Sequence, residues 1–388
     1  MEKILSIVAR EILDSRGDPT VEVELQTEGG IKTIASVPSG ASVGSHEALE
    51  LRDADQSRFG GLGVLKAIEN IKLVIAPALV GQDIENQAQI DQTLIGLDGT
   101  THKSKLGANA ILCISLAVCK AAAQKKRLPL YQYIGALSGN NTFKIPKPMF
   151  NFFEGAKHAD NNLVIQEFLV IPDKENFKED YRHASEIFLN LKKILKNRGV
   201  GVAVGYEGGF APMLPQADDD AIKLIKEAGD EKIGLDMAGI VPNGLSIEKL
   251  VNEIGIVSLE DPADQDSWDE WADLTRKYSA KTMIIGDDIF ATNIDRLKQG
   301  IEKKVANGVI VKPNQIGTIT EAIQFTKLAK TNNYKIIASH RSGETEDTFI
   351  ADFAVGVGAD FAKLGAPSRG ERICKYNRLL RIEEQIKK

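Results

Sequence analysis

The chain has 388 residues, with 48 Lys and Arg against 54 Asp and Glu for a formal net charge of −6, and is 43% hydrophobic, 26% charged and 6% aromatic. That length exceeds the usual single domain and predicts two domains of unequal size, while the composition is that of a globular enzyme. The acidic balance argues against a nucleic-acid-binding surface, which is basic, and an anionic substrate would need local help from metal or clustered Lys and Arg.

The opening MEKILSIVAREIL carries charges too early and too often for a signal peptide. No apolar run approaches the ~20 residues that span a bilayer. Cys113, Cys119 and Cys374 are odd in number and lack metal-type spacing, which predicts free thiols in a reducing compartment. A cytoplasmic location is expected.

Ile4 to Leu13, Thr20 to Gln26 and Ile31 to Val37 are β-rich, with turns at Arg16-Gly17-Asp18-Pro19 and Glu28-Gly29-Gly30, which predicts an antiparallel meander. A Gly/Ser loop follows from Pro38 to Gly44. Helical patterns then run near Val64–Leu79, Asn86–Ile95, Leu106–Lys125 and Leu130–Ile134. The Ala-rich stretch from Gly107 to Ala123 is apolar nearly all round and should be a buried helix. Strands followed by helices in separate runs predict an α+β capping domain over residues 1–139. Asn140–Pro148, with two prolines, reads as a linker into a second domain, residues 140–388.

From Gly201 to Gly365 one pattern repeats: a short apolar run ends in a charged residue, every 23 to 29 residues. The charges are Glu207, Asp236, Glu260, Asp287, Lys312, His340 followed by Arg341, and Lys363. The period fits one strand and one helical return, and charge at each strand end is the mark of a β/α barrel with its site at the strand C-termini. The chain closes on a charged helix, Glu371–Lys388. Gly60-Gly61-Leu62-Gly63 follows no strand, and no GxxxxGK[ST] occurs, so dinucleotide-fold and P-loop chemistry are unsupported.

Asp236, Glu260 and Asp287 on successive strand ends suit a hard, oxygen-seeking cation such as magnesium. An isolated strand-end acid would more often cap the next helix, a role open to Asp261 and Asp288. Lys312 ends the apolar run Val309-Ile310-Val311, which, with nearby cations, should lower its pKa towards that of a general base. Lys363 has the same surroundings and either shares that role or binds an anion. Glu207, in Gly205-Tyr206-Glu207-Gly208-Gly209, and Glu167, ending Leu163 to Gln166, are paired acids opposite a lysine, as acid–base chemistry on two faces of one carbon requires. Either acid alone could be structural. Ser339-His340-Arg341-Ser342 can grip phosphate or carboxylate, the plainer alternative being a helix cap by Ser342. His158 alone reads as an ordinary loop histidine.

The motifs AREILDSRG (9–17), PSGAS (38–42), LDGT (97–100), LGANAIL (106–112), HADNN (158–162), QEF (166–168), EGGFAP (207–212), LEDP (259–262), GDD (286–288), NQIGT (314–318), SHRSGETEDTFIAD (339–352) and KYNRLLRIEE (375–384) occur in this order. On them the chain resembles the enolases over nearly its full length. The resemblance implies an α+β capping domain and a TIM-type barrel of the enolase kind. It also implies reversible, magnesium-dependent dehydration of 2-phospho-D-glycerate to phosphoenolpyruvate in glycolysis and gluconeogenesis. By similarity, Asp236, Glu260 and Asp287 bind one magnesium ion, and Ser42 coordinates a second that arrives with substrate. Lys312 takes the C2 proton. Glu207 helps the C3 hydroxide leave, with Glu167, His158 and His340 around it. Arg341 and Ser342 hold phosphate, Lys363 the carboxylate, and Gln166 and Ser339 complete the substrate contacts. A homodimer or larger homo-oligomer is implied.

The chain departs from the family pattern at Val43 for threonine, Tyr206 for aspartate, Asp18 for asparagine, and Glu154-Gly155-Ala156 for Asn-Gly-Gly. The stretch from Ala217 to Val257 is shortened and lacks most of a lid loop after Asp236. These changes keep two alternatives open. One is a relative acting on another phosphorylated or phosphonate acid, as in carboxyphosphonoenolpyruvate synthesis; the other is a non-catalytic binding protein.

Overall fold

A computed structural model describes residues 1–41 and 44–388. Ser42 and Val43, on which the sequence places a metal ligand and a departure from the family, lie outside the described residues. Strands β1 (Ile4–Leu13), β2 (Pro19–Thr27) and β3 (Lys32–Ser36) form an antiparallel sheet in chain order. The first turn is held by Asp14, whose carboxylate accepts the N–H groups of Arg16 and Asp18 at 2.8 and 3.1 Å, with Gly17 at φ 85°. The inner face of β2, Val21, Val23 and Leu25, is fully buried. Against this sheet lies the helix Ala108–Lys125, itself buried almost throughout, as its all-round apolar sequence requires. Thr33 Oγ1 donates to the Ala117 carbonyl at 3.0 Å, fixing the helix on β3.

The stretch expected as one helix from Val64 is broken into Leu65–Asn70, a wide π turn at Ile71–Ile75, and Ala76–Leu79. Pro77 has no N–H for the Leu73 carbonyl, which accounts for the loosened turn before it.

The remaining strands are β4 (Lys147–Glu154), β5 (Glu167–Ile171), β6 (Lys232–Asp236), β7 (Ser258–Glu260), β8 (Met283–Gly286), β9 (Gly308–Val311), β10 (Lys335–Ser339) and β11 (Phe361–Lys363). They close into an eight-stranded barrel in the order β10-β11-β4-β5-β6-β7-β8-β9. Met149, Leu169, Ile171, Ile285, Ile310 and Ile337 fill its interior. Helices such as Phe177–Asn197 and Ala217–Ala228 press one apolar stripe each on the outside. Asn176, Asn293 and Thr318 accept N–H groups of the helices they start, each contact contributing about 1 kcal/mol. Among the described residues no helix is long and apolar enough to cross a membrane.

Two further expectations are corrected. The run Gly201–Tyr206 is not a barrel strand; much of it is exposed, and its only ladder contact is an isolated bridge, Val204 with Phe210. Glu167 begins a strand rather than ending one, because β5 runs antiparallel to both β4 and β6. That reversal delivers Glu167 to the same mouth as the C-terminal ends of the parallel strands, where it pairs in register with Glu154 and Asp236.

Candidate active site

Asp236, Glu260 and Lys363 close β6, β7 and β11, while Asp287, Lys312 and His340 directly follow β8, β9 and β10. Register sets Asp236 beside Glu260 and Ser339 beside Lys363. Lys363 Nζ is buried among carboxylates: 2.8 and 2.9 Å from the Glu260 oxygens, 3.0 Å from Asp236 Oδ2 and 3.2 Å from Glu167 Oε2. Burial works against its charge, yet Asp236, Glu167 and Glu260 hold its pKa well above the usual lysine value. Burial likewise drives Glu260 upward, with the Asp236 charge adding to the rise.

Lys312 pairs with Asp287. Desolvation does push the Lys312 amine down, as its apolar strand predicts, but the Asp287 carboxylate outweighs it and the net shift is upward. The expected lowering is therefore not found. Asp287 in turn is held below its usual range, the Lys312 charge overcoming burial.

His158, Glu167, Glu207 and His340 form the second half of the site, all buried. His158 Nδ1 lies 3.6 Å from Glu167 Oε1 and 3.7 Å from Glu207 Oε1, and His340 Nε2 lies 3.0 Å from Glu207 Oε2. Burial raises Glu167 well above the carboxylate range, with the Glu207 charge adding to the rise. Burial opposes the charge on Glu207 too, but His340, His158 and Arg372 bring it well below. Burial lowers both histidines, His340 to about 3. Glu167 and Glu207 are thus two titrating groups pushed in opposite directions by their surroundings.

Glu207 sits in a loop pinned by Glu154, whose carboxylate accepts the N–H of Glu207 at 2.9 Å and that of Gly209. A Cβ on Gly205 would lie 2.3 Å from Glu154 Oε2, so glycine is required for this close approach. Burial, with the Glu207 charge, raises Glu154 to about 8.

Arg341 donates to Glu47 at 2.7 and 3.2 Å and to Asn314 Oδ1 at 3.1 Å. Ser342 Oγ accepts the Ala41 N–H at 2.7 Å rather than capping a helix. Ser39 and Gly343 exchange backbone hydrogen bonds at 2.8 and 2.9 Å, which docks the chain just before Ser42 on the 339–343 segment. Ser339 Oγ donates to its neighbour's carbonyl, and Gln166 Nε2 donates to Asp236 Oδ2 at 3.3 Å.

The mouth is rich in buried carboxylate oxygens, the donor type a hard cation takes, but in this structure ammonium groups stand against Asp236, Glu260 and Asp287. Glu260 and Asp236 already share a buried ammonium, and an uncompensated charge there would be costly. Asp287, the third expected ligand, faces Lys312 instead. Among the described residues, metal-ligating atoms converge within 4.8 Å in two groups, His158-Glu167-Glu207 and Asp261-Asp287-Asp288. Asp261 does not cap a helix; its carboxylate accepts the N–H groups of Asp287 and Asp288, each at 2.9 Å, and so sets the direction of Asp287.

Some participants escape sequence reasoning. Gln315 Nε2 donates to Asp287 Oδ1 at 3.0 Å, and Asn151 Nδ2 to Glu207 Oε2 at 3.3 Å. Gln315 falls inside the quoted NQIGT motif, so a signal existed. Arg372, wholly buried beside His340, lies in a helix whose charged sequence reads as solvated.

Comparison with known families agrees with this architecture. Residues 4–134 match the enolase N-terminal domain. Residues 142–240 and 245–388 match the enolase C-terminal TIM barrel domain. With both halves matched across nearly the whole chain and the acids and lysines gathered at one barrel mouth, this chain belongs to the enolase family.

Proposed function

We propose that the protein catalyses the magnesium-dependent, reversible dehydration of 2-phospho-D-glycerate to phosphoenolpyruvate. The observation that carries this reading is the meeting, through Lys363, of the carboxylates near Lys312 with the Glu167–Glu207 acid pair. A lysine and a pair of acids, the residue types such chemistry uses on neighbouring carbons, thus share one buried mouth.

Asp236, Glu260 and Asp287 would hold the metal ion, with Ser42 contributing to a second ion that comes with substrate. Bound there, magnesium supplies positive charge against the second negative charge that develops on the substrate carboxylate once the α-proton leaves. Lys312 removes the C2 proton, which requires that Asp287 no longer neutralise it. Lys363 adds a fixed ammonium for the carboxylate. Glu207 gives the departing C3 hydroxide a proton so that it leaves as water, and because Glu207 rests ionised it must first take up the proton that Glu167 holds; His158 Nδ1 stands within 4 Å of both acids. Arg341 and Ser342 take the phosphate, Arg341 exchanging Glu47 for it, while Gln166, Ser339 and His340 line the same pocket. We further propose a division near residue 139 and a homo-oligomeric assembly.

Tyr206 favours a second reading. Its ring is 43% exposed beside the Glu207 loop where the family carries an aspartate, so a different phosphorylated or phosphonate acid is the alternative substrate class. The test is the ultraviolet absorbance of phosphoenolpyruvate formed from 2-phosphoglycerate with magnesium, for wild type and Lys312→Ala. Turnover lost in the variant is expected. A folded, magnesium-binding wild type without turnover overturns the assignment and directs the search to the related acids.

A further inference from the structure

Arg372, on the helix Gly370–Ile386, has no solvent exposure. Its Nη1 donates to His340 Nδ1 and to the Arg341 carbonyl, both at 2.6 Å. Its Nη2 donates to the carbonyls of Ser342 at 2.6 Å and Tyr206 at 3.0 Å, and to Ser15 Oγ at 3.3 Å. A guanidinium has donors only and keeps its proton. His340 Nδ1 must therefore offer its lone pair, and a neutral ring then carries its hydrogen on Nε2.

Nε2 is 3.0 Å from Glu207 Oε2, but the approach is oblique, and Nε2 has no aligned acceptor among the described residues. A buried N–H left without an aligned partner costs free energy in the resting protein, and is a donor in waiting for a group that enters beside Glu207. Burial keeps the ring uncharged throughout the neutral range.

We propose that Arg372 is a positioning residue that locks neutral His340 in the Nε2–H tautomer and so aims a hydrogen-bond donor into the mouth next to Glu207. The tautomer stands independently of the reaction proposed above; only its effect on turnover rests on that reading. Because Arg372 also ties together the segments carrying Ser15, Tyr206 and Ser342, a purely structural role is the competing explanation.

Ring-nitrogen NMR of protein labelled with 15N-histidine separates the two, the His340 signals being assigned by their loss in His340→Asn. Wild type should show Nε2 protonated and Nδ1 as acceptor across neutral pH. Arg372→Lys keeps a donor without an acceptor and should retain that tautomer, with kcat within ~10-fold of wild type. Arg372→Met should give mixed tautomers and a kcat lower by about 10–100-fold, the range for lost outer hydrogen-bond partners, with KM little changed. A wild-type ring protonated on Nδ1 overturns the proposal even if neither variant folds. So does an unchanged tautomer in Arg372→Met, or equal loss of kcat and KM in both variants. A wild type with the expected tautomer but no dehydration sinks the function assignment and leaves the tautomer lock standing.

Discussion

Lys363 Nζ bridges both oxygens of Glu260, at 2.8 and 2.9 Å, although neither side chain is more than 2% exposed. In this protein a lysine thus holds the charge of an expected metal ligand. Breaking such a buried pair by removing one partner destabilises strongly, by about 3–5 kcal/mol.

Lys363→Met is therefore expected to lower the urea midpoint without magnesium, and to recover more of it than wild type does when magnesium is added. At one hundred times its dissociation constant a ligand stabilises by about 2.7 kcal/mol. Equal magnesium shifts in the two proteins would show that Glu260 is not a ligand.

Glu154 binds its proton more tightly folded than unfolded, about 8 against 4.5. Between those values the native state holds the extra proton, so stability falls as pH rises, by up to ~1.4 kcal/mol per pH unit for this group. Glu154→Gln should flatten the decline in urea midpoint from pH 5 to 8. An unchanged slope would mean that Glu154 is ionised throughout.

His340 behaves oppositely. Its folded pKa is about 3 against 6.5 for the free ring, so below pH 6.5 the unfolded chain takes up protons that the native state refuses. Its contribution is full above pH 6.5 and is lost as pH falls towards 3. In His340→Asn the acid limb of the stability profile should be shallower than in wild type.

Tyr206 contributes mainly through its backbone carbonyl, which Arg372 binds, and its ring lies 5.9 Å from the Arg16 guanidinium. An exposed contact of this kind is worth about 0.5–1 kcal/mol. Tyr206→Asp should leave Tm nearly unaltered while changing KM for 2-phosphoglycerate more than kcat. A large fall in Tm would show that the ring is structural.

The strand-end charges from Asp236 to Lys363 were legible because a short apolar run followed by one charged residue has few other uses. The meander was legible for a similar reason, and β1 is found over the expected Ile4–Leu13. Glu207 misled because valines and alanines spaced by glycine resemble a strand, whereas Gly205 there serves a tight approach to Glu154. The reversal of β5 was hidden because hydrophobic alternation has no direction. The protonation of Lys312 depends on Asp287, 25 positions earlier in sequence, and so could not be read from the neighbours of Lys312. Arg372 was missed because a helix full of charges gives no sign that one of them points inward.

The reversed β5 also changes what this barrel tolerates. Consecutive antiparallel strands need no returning helix, so β4 and β5 are joined by the short span 155–166 that carries His158. Here the exposed positions Ala156, Lys157 and Asp160 can vary without moving a helix, while Leu163 and Ile165 of the same span stay in the core. Substrate range in this fold is therefore open to adjustment through the 155–166 hairpin, at little risk to the barrel that supports it.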